Sequence, residues 1–156
     1  MSNIFSASEI VEMGINIEEN GRDFYNEVLK MSKDEAARQV FRFLSAEEEN
    51  HIKRFEAMLS KVKKYEPSEA YPGEYFAYIK SLSGEYVFTE KNKGTELAKK
   101  VKAEKEAIDI AIGFEKDSIL FYDEMKKFVL EGEHGIVDKL IEEEKNHLRK
   151  LILLRS

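Results

Sequence analysis

Glu48-Glu49-Asn50-His51 and Glu144-Lys145-Asn146-His147 each place a carboxylate three residues ahead of an imidazole. On a helix that spacing brings both groups to one face a single turn apart, where they can bind the same cation. Each pair has an upstream glutamate, Glu18 for the first and Glu115 for the second, at intervals of 30 and 29 residues to Glu48 and Glu144. Four carboxylates and two imidazoles make a hard-to-borderline donor set, which suits iron or manganese and also accepts zinc. Carboxylates bridging two such ions would hold them about 3.5–4 Å apart. The chain has 3 histidines, and two of them occupy these equivalent positions. The third, His134, stands beside Gly132 and Gly135 and reads as a surface residue.

The doubled motif belongs to a longer internal repeat. Ile17-Glu18-Glu19-Asn20-Gly21-Arg22-Asp23-Phe24-Tyr25 matches Phe114-Glu115-Lys116-Asp117-Ser118-Ile119-Leu120-Phe121-Tyr122. Tyr25 and Tyr122 therefore hold the same register to their glutamates, either as phenols beside a site or as core aromatics. Glu19, the rival to Glu18, lacks that register. Along each segment the site residues interrupt an otherwise apolar helical stripe, as in Val40, Leu44, Glu48, His51, Phe55 and Leu59. Ionised carboxylates buried in such stripes cost several kcal/mol unless paired or metal-bound. No Lys or Arg lies on the stripes between these positions, so two divalent cations are the expected remedy. Gly14, Gly21, Ala111 and Ser118 flank the upstream glutamates and are expected to leave volume for ions, solvent or a small ligand. Glu47, Glu49, Glu142 and Glu143 belong to acidic runs and read as solvated.

Four long helices are needed to bring these groups together. The chain has 156 residues, 42% of them hydrophobic, which is enough for one domain with a real core. Ser6-Ala7-Ser8-Glu9 and Ser32-Lys33-Asp34-Glu35 have capping-box spacing. Helices are expected over about 7–31, 33–64, 103–131 and 136–154. The crossover, 65–102, should contain one short helix near 74–82 and then a connection. Two tight hairpins joined by one long crossover make an all-α, ferritin-like four-helix bundle. At about 1.5 Å per residue, Glu18 and Glu48 lie roughly 21 and 24 Å from the turn near Ser32, so they can meet. In the second hairpin the midpoint between Glu115 and Glu144 falls near Leu130, slightly before the turn expected at Gly132. The net charge of −6 argues against nucleic acid and anionic membrane as partners. With 0 Cys, disulfides and thiolate-ligated centres are excluded from this chain. The first residues lack the pattern of a signal peptide, and a cytoplasmic location is expected.

At these residues the chain resembles the rubrerythrin-type branch of the ferritin-like diiron-carboxylate superfamily, whose signature is E-x6-Y followed by E-x-x-H, present twice. The resemblance covers about 9–62 and 104–154. It implies two iron ions, with manganese or zinc as substitutes. Glu18 and Glu115 would be terminal ligands, Glu48 and Glu144 bridging ligands, and His51 and His147 terminal nitrogen ligands. Tyr25 and Tyr122 would sit beside the site and bond to the bridging carboxylates. The implied activity is reduction of hydrogen peroxide, or dioxygen, by a non-haem diiron oxidoreductase. Rubrerythrins carry a Cys-ligated rubredoxin domain. This chain has none, so electrons must come from a separate donor protein such as a rubredoxin. Ser118 stands where the family has an additional glutamate that exchanges with a histidine as iron changes oxidation state. A homodimer is expected. The alternatives are a ferroxidase or iron-storage protein without a reductive cycle, and a metal-free structural bundle.

Overall fold

The computed structural model describes residues 7–65 and 92–156. Among these there are five α-helices: α1 (Ala7–Met31), α2 (Glu35–Tyr65), α3 (Lys93–Lys100), α4 (Glu104–Met125) and α5 (His134–Arg155). The Ser6 cap and the helix expected near 74–82 lie outside the described residues.

The turns differ from expectation in informative ways. Asp34, rather than Ser32, caps α2: its Oδ2 accepts the Ala37 amide proton at 3.0 Å. Ser32 instead donates its hydroxyl to the Val28 carbonyl at 2.8 Å, closing the end of α1. A shorter cap thus wins over the capping-box spacing, because Asp34 lies next to the first helical residue and satisfies a free amide directly. At the other hairpin α4 stops at Met125, not near 131, and the chain passes through 3-10 turns at Lys126–Phe128 and Glu131–Glu133. Phe128 and Val129 are buried there, and sinking two apolar side chains under the bundle end ends the helix sooner than Gly132 would.

These boundaries make both hairpins symmetric about the site. Glu18 lies thirteen residues before Met31 and Glu48 thirteen after Glu35. Glu115 lies ten before Met125 and Glu144 ten after His134. With equal rise on both arms, each glutamate pair is level in its hairpin.

Contacts between the hairpins fix their relative direction. On α1 and α4, Gly14 approaches Met125 while Gly21 approaches Phe114, so the two helices are antiparallel. On α2 and α5, Lys61 pairs with Glu133 at 2.9 Å while Lys150 lies over the Phe43 ring at 4.9 Å, again antiparallel. The hairpin turns therefore sit at opposite ends of the bundle. Between α2 and α4 lies α3, in the part of the crossover where the sequence predicts a connection after the short helix. It packs on α1 at Gly94, whose amide donates to Asn20 Oδ1 at 3.2 Å. A Cβ at Gly94 would stand 1.9 Å from the Asn20 carbonyl oxygen, so glycine is required by close backbone approach. The core between the helices is aromatic and aliphatic: Phe24, Phe41, Leu44, Phe55, Met58 and Leu140 are fully buried, each contributing about 1.5–3 kcal/mol of transfer free energy. No described helix is long and apolar enough to cross a membrane.

Candidate metal centre

Midway along this apolar interior, Glu18, Glu48, His51, Glu115, Glu144 and His147 are all at 0% exposure. The four helices converge on one point, and all six residues selected by spacing meet there. Two overlapping sets have donor atoms within 4.8 Å of one another: Glu18, Glu48, His51 and Glu144 in one, and Glu48, Glu115, Glu144 and His147 in the other. Each set has one histidine and one carboxylate of its own, while Glu48 and Glu144 belong to both. The imidazole rings stack 5.6 Å apart at 16°. His51 Nδ1 lies 2.8 Å from Glu144 Oε1 and 3.4 Å from Glu18 Oε2. His147 Nδ1 lies 3.6 Å from oxygens of Glu48, Glu115 and Glu144.

Hydrogen bonding leaves much of this cluster unsatisfied. Both oxygens of Glu48 and of Glu144, one oxygen each of Glu18 and Glu115, and Nδ1 of both histidines are buried without a hydrogen-bond partner. Buried polar atoms are rarely left in that condition, and each costs about 1–3 kcal/mol. Here the orphaned atoms belong to residues whose donor atoms lie, in each set, within 4.8 Å of one another. That arrangement, with its oxygen-rich donor set, fits a pair of hard or borderline divalent ions.

The proton affinities tell the same story. Burial, then the charges of Glu115 and Glu18, push the Glu144 carboxyl well above its ordinary value. Burial opposes charge on His51, but Glu18 and Glu143 outweigh it and raise the imidazole; His147 is raised likewise through Glu115. Burial also favours a neutral Glu115, yet His147, Glu144 and Tyr25 together hold it below the usual carboxylate range. Without cations the cluster keeps protons that a metal pair would replace.

Tyr25 and Tyr122 are fully buried, and their hydroxyls donate across the bundle. Tyr25 bonds Glu115 Oε1 at 2.7 Å, and Tyr122 bonds Glu18 Oε1. The partners are thus the carboxylates that belong to one set each, not Glu48 and Glu144 as the resemblance implied. Antiparallel packing of α1 on α4 explains this, since seven residues beyond Glu18 the α1 face lies opposite Glu115. Burial, followed by the nearby carboxylates, raises both phenols well above their ordinary value and keeps them protonated donors.

Two expectations need correction. Glu143 is not a solvated member of an acidic run. It is half-buried, accepts from His51 Nε2 at 3.1 Å, and is gripped by Arg54, with Nη2 3.2 Å from Oε1 and Nη1 on Oε2. The spacing rule missed both residues, because their role depends on which turn of α5 faces His51. One signal was present: Glu143 precedes Glu144 as Glu47 precedes Glu48. Second, Gly21 does not leave open volume, since the Phe114 ring fills the space where its Cβ would stand, at 2.5 Å. At Gly14 a Cβ would meet Met125 and Phe55 in ordinary contact, at 3.5 and 3.7 Å. Ser118 donates its hydroxyl to its own helix at the Phe114 carbonyl, 2.9 Å away. His134, the first residue of α5, lies outside the cluster.

Residues 9–154 match the family model for rubrerythrin. Among solved structures, the chain is similar to a protein from Thermotoga maritima provisionally described as a ferritin-like diiron-carboxylate protein. That pair shares 29% identity with a TM-score of 0.72, over 98% of this chain and 96% of the other. No curated protein matches. The helical fold is thus ferritin-like.

Proposed function

The chain belongs to the rubrerythrin family, and on that premise we propose that it is a diiron oxidoreductase that reduces hydrogen peroxide, or dioxygen, using electrons from a separate donor protein. The observation that carries this reading is the pair of four-residue sets sharing Glu48 and Glu144. In this reading Glu18 and His51 would hold one iron and Glu115 and His147 the other, with Glu48 and Glu144 available to both. Bound iron would supply the one-electron redox chemistry, one electron from each ion. For peroxide the O–O bond breaks, two electrons and two protons are consumed, and two waters leave. Because the chain offers no thiolate for an iron–sulfur relay, the reading takes its replacement electrons from another protein, such as a rubredoxin.

The chain's own groups set the conditions for that chemistry. Tyr25 and Tyr122 fix the rotamers of Glu115 and Glu18 by donating to one oxygen of each, which leaves the other oxygen directed at the cluster. Glu143 takes the proton on His51 Nε2 as its hydrogen bond and so leaves the Nδ1 lone pair for a cation. The surrounding Phe24, Phe41, Phe55 and Phe121 exclude bulk water and strengthen every electrostatic interaction inside.

Protein loaded anaerobically with ferrous iron tests the reading. Two ferrous ions oxidised per peroxide, followed by repeated turnover when reduced rubredoxin is supplied, is the expected result. Ferrous iron that neither peroxide nor dioxygen oxidises would overturn it. Ser118, bonded to its own helix where the family has a further glutamate, favours a second reading: a ferroxidase or iron-storage protein without a reductive cycle. That reading predicts oxidation without donor-driven turnover, and a native mass far above a dimer.

A further inference from the structure

The two halves of the site match in sequence and differ in what stands behind their histidines. His51 is supported: its Nε2 bonds Glu143, and Arg54, three residues on along α2, grips that carboxylate with both of its terminal nitrogens. The corresponding positions around His147 are Glu47 and Lys150. Glu47 Oε1 stands 3.9 Å from His147 Nε2, too far for a hydrogen bond, and that nitrogen is buried without a partner. The Lys150 ammonium lies over Phe43 at 4.9 Å, and Phe43 meets the imidazole edge-on at 6.0 Å. The far nitrogen of one imidazole is therefore held by a charged chain of contacts, and that of the other has ring packing around it and no hydrogen bond.

That difference acts on metal binding. A carboxylate behind a ligating histidine fixes the proton on the far nitrogen, aims the near one, and increases its basicity, and removing such a partner typically costs about 10- to 100-fold in metal affinity. Resting on the metal-centre reading above, we propose that the two metal positions are inequivalent: the position held by Glu18 and His51 fills first and more tightly, and Glu143 with Arg54 is the device that makes it so. Glu143 is a positioning residue, acting on the cation only through His51.

Cobalt(II) serves as the probe, added to the metal-free full-length chain and followed by calorimetry and by paramagnetically shifted proton NMR. Two binding steps are expected, with the first at least about tenfold tighter. At one equivalent, a single strongly shifted exchangeable proton should appear, the Nε2 proton of His51, protected by Glu143. E143A should weaken the first step about 10- to 100-fold and abolish that signal, E143Q should restore part of both, and R54A should fall between wild type and E143A. E47Q should change neither step more than about twofold, since no hydrogen bond is lost there. Thermal unfolding of each metal-free variant separates lost support from lost folding, and a ranking that follows those melting temperatures overturns the proposal. Two equal steps in the wild type, or an E47Q loss matching E143A, overturn the inequivalence and leave the metal-centre reading intact. A chain that binds no cobalt overturns both.

Discussion

Four glutamates at 0% exposure set the physical problem of this interior, and the tyrosines show how the chain handles part of it without metal. Tyr25 and Tyr122 each tie one oxygen of a carboxylate on the opposite hairpin. Removing the Tyr25 hydroxyl should orphan Glu115 Oε1 and destabilise the metal-free protein by about 1–3 kcal/mol, the cost of a lost buried hydrogen bond to a charged acceptor. Denaturant unfolding of Y25F measures it. A double-mutant cycle with E115Q should return a coupling above about 0.5 kcal/mol, as for residues in direct contact. Additive losses would contradict the assigned bond. The register of Tyr25 to Glu18 and of Tyr122 to Glu115 was legible in the repeat, as were the six clustered side chains, because periodicity alone puts them on the apolar stripe. Which carboxylate each phenol reaches was not legible. That depends on the direction of α1 against α4, which no local pattern encodes. Glu143 and Arg54 were hidden for the same reason, since their register to His51 exists only across α2 and α5.

The helices were legible wherever a long apolar period ran, and less so where packing decided the boundary. Asp34 took the cap from Ser32 by proximity to the first helical amide. Helix α4 gave up its last turn so that Phe128 and Val129 could be buried. The less readable case is α3: Lys93-Gly94 looks like a breaker, yet Gly94 is helical and serves a contact. Its missing Cβ lets α3 lie against the α1 backbone at Asn20, and the bond from its amide to Asn20 Oδ1 completes the joint. Two glycine substitutions should consequently have opposite signs. G94A drives a methyl to 1.9 Å from a backbone oxygen, and should destabilise by at least about 1–3 kcal/mol, as overpacking does. G113A, in the interior of α4 with open space around the new Cβ, should stabilise by about 0.5–1 kcal/mol through helix propensity. Equilibrium unfolding of the two proteins decides the matter, and a stabilising G94A would refute the close approach. A sequence reader sees eight glycines and no means of ranking them, because their roles are set by neighbours distant in the chain.

Across the whole bundle, folding and metal binding are coupled through protons, and the sign of that coupling can be worked out. His51 and His147 both hold their protons more tightly folded than unfolded, where the ordinary value is 6.5. Their contribution to stability is complete below about pH 6.5 and is lost as pH rises through their higher folded values. Glu144, pushed well above the carboxylate range by burial and then by Glu115, also binds more protons folded than unfolded and adds to the same slope. Glu115 and Glu143 are shifted down; above about pH 6.5 they are ionised in both states and contribute no slope. The chelated protein should therefore melt at progressively lower temperature as pH rises above about 6.5. The metal-loaded protein should behave differently, because cations require deprotonated ligands and bind more strongly as protons become scarce. With free metal near 1,000 times its dissociation constant, loading is worth about 4 kcal/mol, or roughly 10 °C in melting temperature for a chain of this length. Calorimetric scans with and without chelator should thus show a gap that widens with pH. A gap that narrows, or none at any pH, would mean that the unsatisfied interior of Glu48, Glu144 and the two imidazoles is neutralised by protons alone.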